Sequence, residues 1–171
     1  MAQITWWGFV WFSSVAFCLA AAHAQAGTIR YVNNASPTCQ EQAPCYASMQ
    51  AGIDAAQAGD TVRIQAGTYT EQILIQGKNA HATASEADRI VIEADAGAVP
   101  GSVVLHGAVS QCTNGYALRF QQSHYLTIRG LTITGAGGQA ISLLGGINEN
   151  SHIHIERNRI LGNGTCKGGL L

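Results

Sequence analysis

Four arginines and one histidine in the second half of the chain carry the chemistry this sequence offers. Arg119 and Arg129 fall at the polar positions of alternating apolar and polar segments, and Arg157 and Arg159 flank a bend at Asn158. A guanidinium is a planar fork that holds carboxylate or sulfate bidentately, so these four are the candidate substrate-binding residues for an anionic polymer. His154, outward in phase and set among basic neighbours, is the best single candidate for a base. The plain alternative is that all five are solvated residues on exposed strands, with Glu156 neutralising part of the charge.

The remaining titratable residues point less sharply. His124 and His152 each follow a serine just before an apolar alternating run, which predicts the same turn in successive repeats, as a paired ligand or base or simply as turn residues. His106 reads as a strand-end residue. Glu86, Asp88, Glu93 and Asp95 bracket the run Arg89 to Ile92, and a calcium site would need two or more of them to converge. Pairing with Arg89 and solvation explain them equally well. Asp60 and Glu71 read as turn residues. The sequence contains no Walker loop, no G-x-S-x-G elbow, no H-E-x-x-H and no Cys-x-x-Cys, which points away from nucleotide-dependent and serine-hydrolase chemistry. No metal site and no cofactor is evident from spacing.

The elements that must position these residues are repeats. Leu126 to Gly135 matches Ile153 to Gly162 at a constant offset of 27, each half reading as two short strands around a bend. Gly115 to Phe120 matches Gly138 to Leu143 at an offset of 23, and the pattern starts again at Gly168. Taking Val62, Ile90, Leu118, Ile141 and Leu170 as equivalent gives spacings of 28, 28, 23 and 29. Such units are too short for βαβ folds. They fit coils stacked about 4.8 Å apart, with apolar ladders inside. Asn158, standing where the previous coil has Leu131, is predicted to bond a neighbouring coil through its amide.

An open coil stack exposes its first strand edge and needs a cover. Ser48 is a suitable N-cap, Met49, Ile53 and Ala56 share one helical face, and Gly59 is predicted at C′, which gives a short capping helix. Before it lies an apolar run, Phe9 to Ala22, followed by two small-x-small sites ending at Ala24 and Ala26. This reads as a cleaved secretory signal, although no Lys or Arg precedes it and an uncleaved anchor stays open. Beyond it stand four cysteines, an even count that suits an oxidising compartment. Cys39 and Cys45, six apart near Pro37 and Pro44, predict a small disulfide loop, with metal binding the weaker reading. Whether Cys112 and Cys166 meet stays open.

Composition agrees with a turn-rich β structure. Only 11% of the 171 residues are charged and 20 are glycine, against averages of about 25% charged and about 7% glycine. The net charge of -1 does not suggest a nucleic-acid or membrane-surface binder, yet it hides an asymmetry. From Gly27 to Asp95 four basic residues face eight acidic ones; from Ala96 onward five face two.

Tyr31-Val-Asn, the Cys39 to Cys45 loop, Ala47 to Ala56, Gly59-Asp-Thr-Val62 and Gly67 to Glu71 together resemble the entry into secreted right-handed parallel β-helix proteins of the pectate-lyase-like superfamily. The resemblance covers nearly all of the mature chain. It implies an all-β fold, a right-handed single-stranded parallel β-helix with a short N-terminal capping helix. Residues 1–26 are then the signal peptide, 27–60 the first strand, Cys loop and capping helix, and 61–171 the coils. The chain stops inside a new coil at Leu171, which reads as the N-terminal part of a longer β-helix. In lyases of this superfamily the acid/base residues and calcium ligands usually lie on later coils.

Two functional expectations follow. The first is a secreted or periplasmic protein acting on extracellular polysaccharide, as part of a lyase that would use calcium or Arg against a uronate carboxylate and a base for the adjacent proton. The second is a non-catalytic β-helix that binds glycan or serves as a surface scaffold. In both, the partner is an extracellular, anionic polysaccharide rather than nucleic acid, and no membrane is involved once the signal is removed.

Overall fold

The computed structural model describes residues 27–107, 115–145 and 149–164. The expected signal peptide, the position of Leu170, and Cys112 and Cys166 lie outside the described residues.

The entry segment supplies β1 (Ile29–Val32), β2 (Cys45–Tyr46) and the helix α1 (Met49–Ala55). Three strands then repeat. The first set is β3 (Thr61–Ile64), β4 (Gly67–Thr70) and β5 (Ile73–Gln76); the second is β6 (Ile90–Ala94), β7 (Val103–His106) and β8 (Tyr116–Gln121). The third is β9 (Ser123–Arg129), β10 (Thr132–Thr134) and β11 (Gln139–Leu144), and β12 (Asn150–Glu156) with β13 (Arg159–Ile160) follow.

From β3 to β10 each strand pairs in parallel with its counterpart three strands on, while β1 lies between β3 and β2. The result is a first sheet ordered β12-β9-β6-β3-β1-β2, a second ordered β13-β10-β7-β4 and a third ordered β11-β8-β5. Parallel pairing with every crossover passing through two other sheets is compatible with a β-helix.

Alternation along each strand sends every second side chain inward. Val62, Ile92 and Ile128 stack as one buried ladder of the first sheet, with Ile155 next in register. Ile73, Leu118 and Ile141 form the matching ladder of the third sheet. Each fully buried Ile or Leu contributes roughly 1.5–3 kcal/mol from area removed from water. The last strands behave differently, since Leu143, Leu144, Ile155, Ile160 and Leu161 are exposed.

The offsets of 27 and 23 read from sequence match the register. Leu126 faces Ile153, Ile133 faces Ile160, and Leu118 faces Ile141. The longer series needs correction. Val62 pairs with Ile92 rather than Ile90, and Leu118 with Ile141 belongs to the third sheet, not to the ladder of Val62. The connections differ in length from coil to coil, so constant spacing does not identify equivalent strands.

The helix closes the β1 end of the core with Met49 and Ile53. Ser48 Oγ accepts the Ala51 N–H at 3.1 Å, the expected N-cap. Glu71 is more than a turn residue. Its carboxylate accepts the N–H groups of Met49 at 2.9 Å and Gln50 at 3.0 Å, favourable at the positive end of the helix. Gly59 is not C′: the helix ends at Ala56 in extended conformation, and Gly59, at φ 80°, serves the turn into Asp60 instead. Gln50 then pairs with both backbone groups of Leu74, covering that edge of the third sheet as a strand would.

Two asparagines stitch the coils. Asn158 Oδ1 accepts the Leu131 N–H at 3.0 Å and its Nδ2 donates to Ile128 O at 2.8 Å, as the spacing predicts. Asn163, which the sequence reading missed, does the same to Ala136 N and Ile133 O at the next corner. Cys39 and Cys45 form the expected disulfide. Among the described residues no helix is long and apolar enough to cross a membrane.

Candidate functional site: a groove at the first sheet corner

The corner between the first and second sheets is where the chain turns from β6 to β7, β9 to β10 and β12 to β13. Gly130 makes the middle turn at φ 76°, with its ideal Cβ position 3.1 Å from the Ala94 side chain. That crowding and the left-handed conformation both call for glycine. One coil on, at the offset of 27, Arg157 takes the equivalent place at φ 54°. An L side chain there costs on the order of 1 kcal/mol.

Outward from this corner runs a ladder of charge. Arg63, Glu93, Arg129 and Glu156 are register partners on β3, β6, β9 and β12. Glu93 accepts from Arg63 at 3.0 Å and from Arg129 at 2.6 Å, and Glu156 lies 3.8 Å from Arg129 and 3.3 Å from Arg157. The alternation of sign along the coil axis stabilises the stack, each exposed pair by up to about 1 kcal/mol.

Beside the ladder the β6–β7 loop, Asp95 to Ser102, rises as a wall. Between wall and ladder lies an open groove of about 320 Å³ lined by Glu93, Arg129, Gly130 and Arg157. It continues past Val99, Pro100 and Thr132 into a second stretch of about 290 Å³, reaching Arg159. Ala94, Gly130 and Arg157 border both stretches, so the two adjoin at this corner. With the ladder, Arg157 and Arg159 counted together, four guanidinium groups face two carboxylates.

The sequence-predicted residues separate accordingly. Arg129, Arg157 and Arg159 share the groove, though Arg129 is already engaged by Glu93. The Arg157 side chain is 74% exposed, which leaves its guanidinium open to a ligand. Arg159 extends over Gly101, its Nη1 3.4 Å from the ideal Cβ position there. Arg119 stands apart on β8 in the third sheet, its guanidinium 3.9 Å over the Tyr116 ring. Position in a strand repeat does not reveal which of three sheets the strand joins, so the sequence alone does not separate Arg119 from the other three arginines. His154 is exposed on β12, in register with Thr127 and next but one to Glu156.

Sequence reasoning missed Arg63 and Glu93 as parts of the ladder. They are 30 and 36 residues from their partners, spacings the repeat offsets of 27 and 23 do not contain. The carboxylates bracketing β6 do not fit a calcium site. Glu86 pairs with Arg89, Asp88 bonds Ser85, and Glu93 lies between two arginines. Among the described residues no group of three or more His, Cys, Asp or Glu side chains is placed to hold a metal ion. No protein family, no curated protein and no solved structure matches this chain.

Proposed function

We propose that this is a secreted right-handed parallel β-helix protein of the pectate-lyase-like kind, and that it binds an anionic extracellular polysaccharide along the first sheet corner. Right-handed winding is supported by the strong bias of parallel crossover connections. Export is supported by the apolar leader and the Cys39–Cys45 disulfide.

The observation that carries the reading is Arg157. It occupies a left-handed position where the preceding coil uses Gly130, and it presents an exposed guanidinium to a groove that also reaches Arg159. Strained backbone at a charged, solvent-facing residue argues for a ligand rather than for stability. Arg157 and Arg159 hold carboxylates or sulfates of the polymer, and Arg129 joins them when Glu93 is displaced.

The test is retention on immobilised polyuronate at low salt, comparing the unaltered protein with Arg157→Ala combined with Arg159→Ala. Binding should fall at least about tenfold in the double variant, the equivalent of roughly 1.4 kcal/mol. It should also weaken steeply as salt shortens the Debye length to roughly 3 Å at 1 M. Equal retention of the two proteins overturns the proposal.

A second reading, cleavage by a lyase, is favoured by one observation: His154 and Arg129 stand on neighbouring outward ladders of the same sheet. A base and a cation on adjacent ladders match proton abstraction beside a carboxylate. Unsaturated products, read by their ultraviolet absorbance and lost in His154→Ala, would distinguish cleavage from binding.

A further inference from the structure

At the opposite corner of the first sheet, two imidazoles meet one hydroxyl. His124 Nδ1 lies 2.8 Å from Ser151 Oγ, and His152 Nδ1 lies 3.0 Å from the same oxygen. His124 and His152 are not equivalent turn residues, as the sequence suggests. The register sets Ser151 opposite His124, while the ring of His152 stacks on Tyr125 at 4.3 Å and an interplanar angle of 10°.

The arrangement is held on several sides. Tyr125 and His152 both adopt left-handed backbone, at φ 50° and 54°, which places their rings face to face across the coils. Arg89 donates from Nη1 to His152 O at 3.0 Å and to Leu126 O at 2.9 Å, fixing the backbone on both coils. Glu86 in turn orients that guanidinium. Ser151 stays half-buried and His152 exposed, so a small reactant has access.

A serine hydroxyl has one proton to give and two lone pairs to offer. Between two neutral imidazoles it donates to one Nδ1 and accepts an N–H from the other. We infer that Ser151 is an acyl-accepting nucleophile for short-chain carboxylic esters, with His124, at the shorter distance, as its base and His152 as the N–H donor to Oγ. The serine and base sit within the 2.6–3.2 Å reach such catalysis needs.

The step balances within the site. Ser151 Oγ forms a bond to the ester carbonyl carbon as its proton passes to His124 Nδ1. The bond from that carbon to the alkoxy oxygen breaks, and the proton on His124 goes to the departing oxygen. Water then attacks the acyl-serine with His124 again taking the proton, releasing the acid and restoring the hydroxyl. This site lies apart from the groove, and the inference does not depend on glycan binding.

The experiment uses the unaltered full chain and p-nitrophenyl acetate. A burst of p-nitrophenolate equal to the protein concentration is expected, with peptide mass mapping placing the acetyl group on Ser151. Ser151→Ala should abolish the burst, and His124→Gln should slow acylation by about 10²-fold or more, the usual scale for a lost general base. Mapping of the unaltered protein requires no variant to fold. Acetyl groups confined to lysine, histidine or the terminal amine, or a burst unchanged in Ser151→Ala, overturn the assignment.

Discussion

Replacing Arg157 separates what this residue does for the fold from what it does for a ligand. Arg157 holds φ at 54° where Gly130 serves in the coil before. Releasing an L side chain from that region is worth about 1 kcal/mol. Against it stands the loss of the contact with Glu156 at 3.3 Å, between side chains 74% and 44% exposed. A pair that open contributes only about 0–1 kcal/mol. Arg157→Gly is therefore expected to leave stability unchanged or to raise it by up to about 1 kcal/mol, while Arg157→Ala keeps the strain and loses the pair. The two variants should differ by about 1 kcal/mol in urea unfolding, or roughly 2–4 °C in Tm for a chain of this size. On immobilised polyuronate they should be equally weak, because both lack the guanidinium. A destabilised Arg157→Gly, or a glycine variant no more stable than the alanine one, would refute the strain argument. Retention of glycine and alanine variants equal to that of the unaltered protein would refute the binding argument.

Glu93→Gln removes the negative charge between Arg63 and Arg129 and one of the two carboxylate oxygens that accept from them, leaving a single amide oxygen. Because Glu93 is 12% exposed and its partners 28% and 38%, a loss of about 1–2 kcal/mol is expected in urea unfolding, between the surface and buried extremes. Polyuronate retention should rise at the same time as Arg129 is released, and a fall in retention would contradict the groove assignment. Asn158→Ala orphans Leu131 N and Ile128 O and should cost about 2 kcal/mol, read by chemical denaturation; a cost below about 0.5 kcal/mol would show that water replaces both bonds. Asp60 is a pH-dependent support: burial pushes its carboxyl up, but the Gln57 N–H, the Arg30 guanidinium and the Thr28 N–H outweigh this and hold it below the ordinary value of 3.8. Its contribution is full above the unfolded value near 4 and is lost as pH falls through the lower folded value. Asp60→Asn should flatten the acid limb of the stability curve, and an unchanged limb would place the pH dependence elsewhere.

The repeat of apolar alternation is enough to read parallel strands and the 27- and 23-residue register, and residue type with short or recurring spacing is enough for the Ser48 cap, the Asn158 stitch and the Cys39–Cys45 bridge. Each depends on residues close in sequence or on a spacing that recurs without insertion, and such local constraints are written directly in the chain. The sorting of strands into three sheets was decided only by the tertiary structure. It moved Arg119 away from Arg129, Arg157 and Arg159, brought Glu93 between Arg63 and Arg129, and set Ser151 rather than His152 opposite His124. Loops of unequal length separate these partners, and a sequence carries no marker of where a loop returns the chain to the stack. Side-chain charges and imidazoles acquire their neighbours only when the coils close on the shared apolar core, whose burial holds the whole in register.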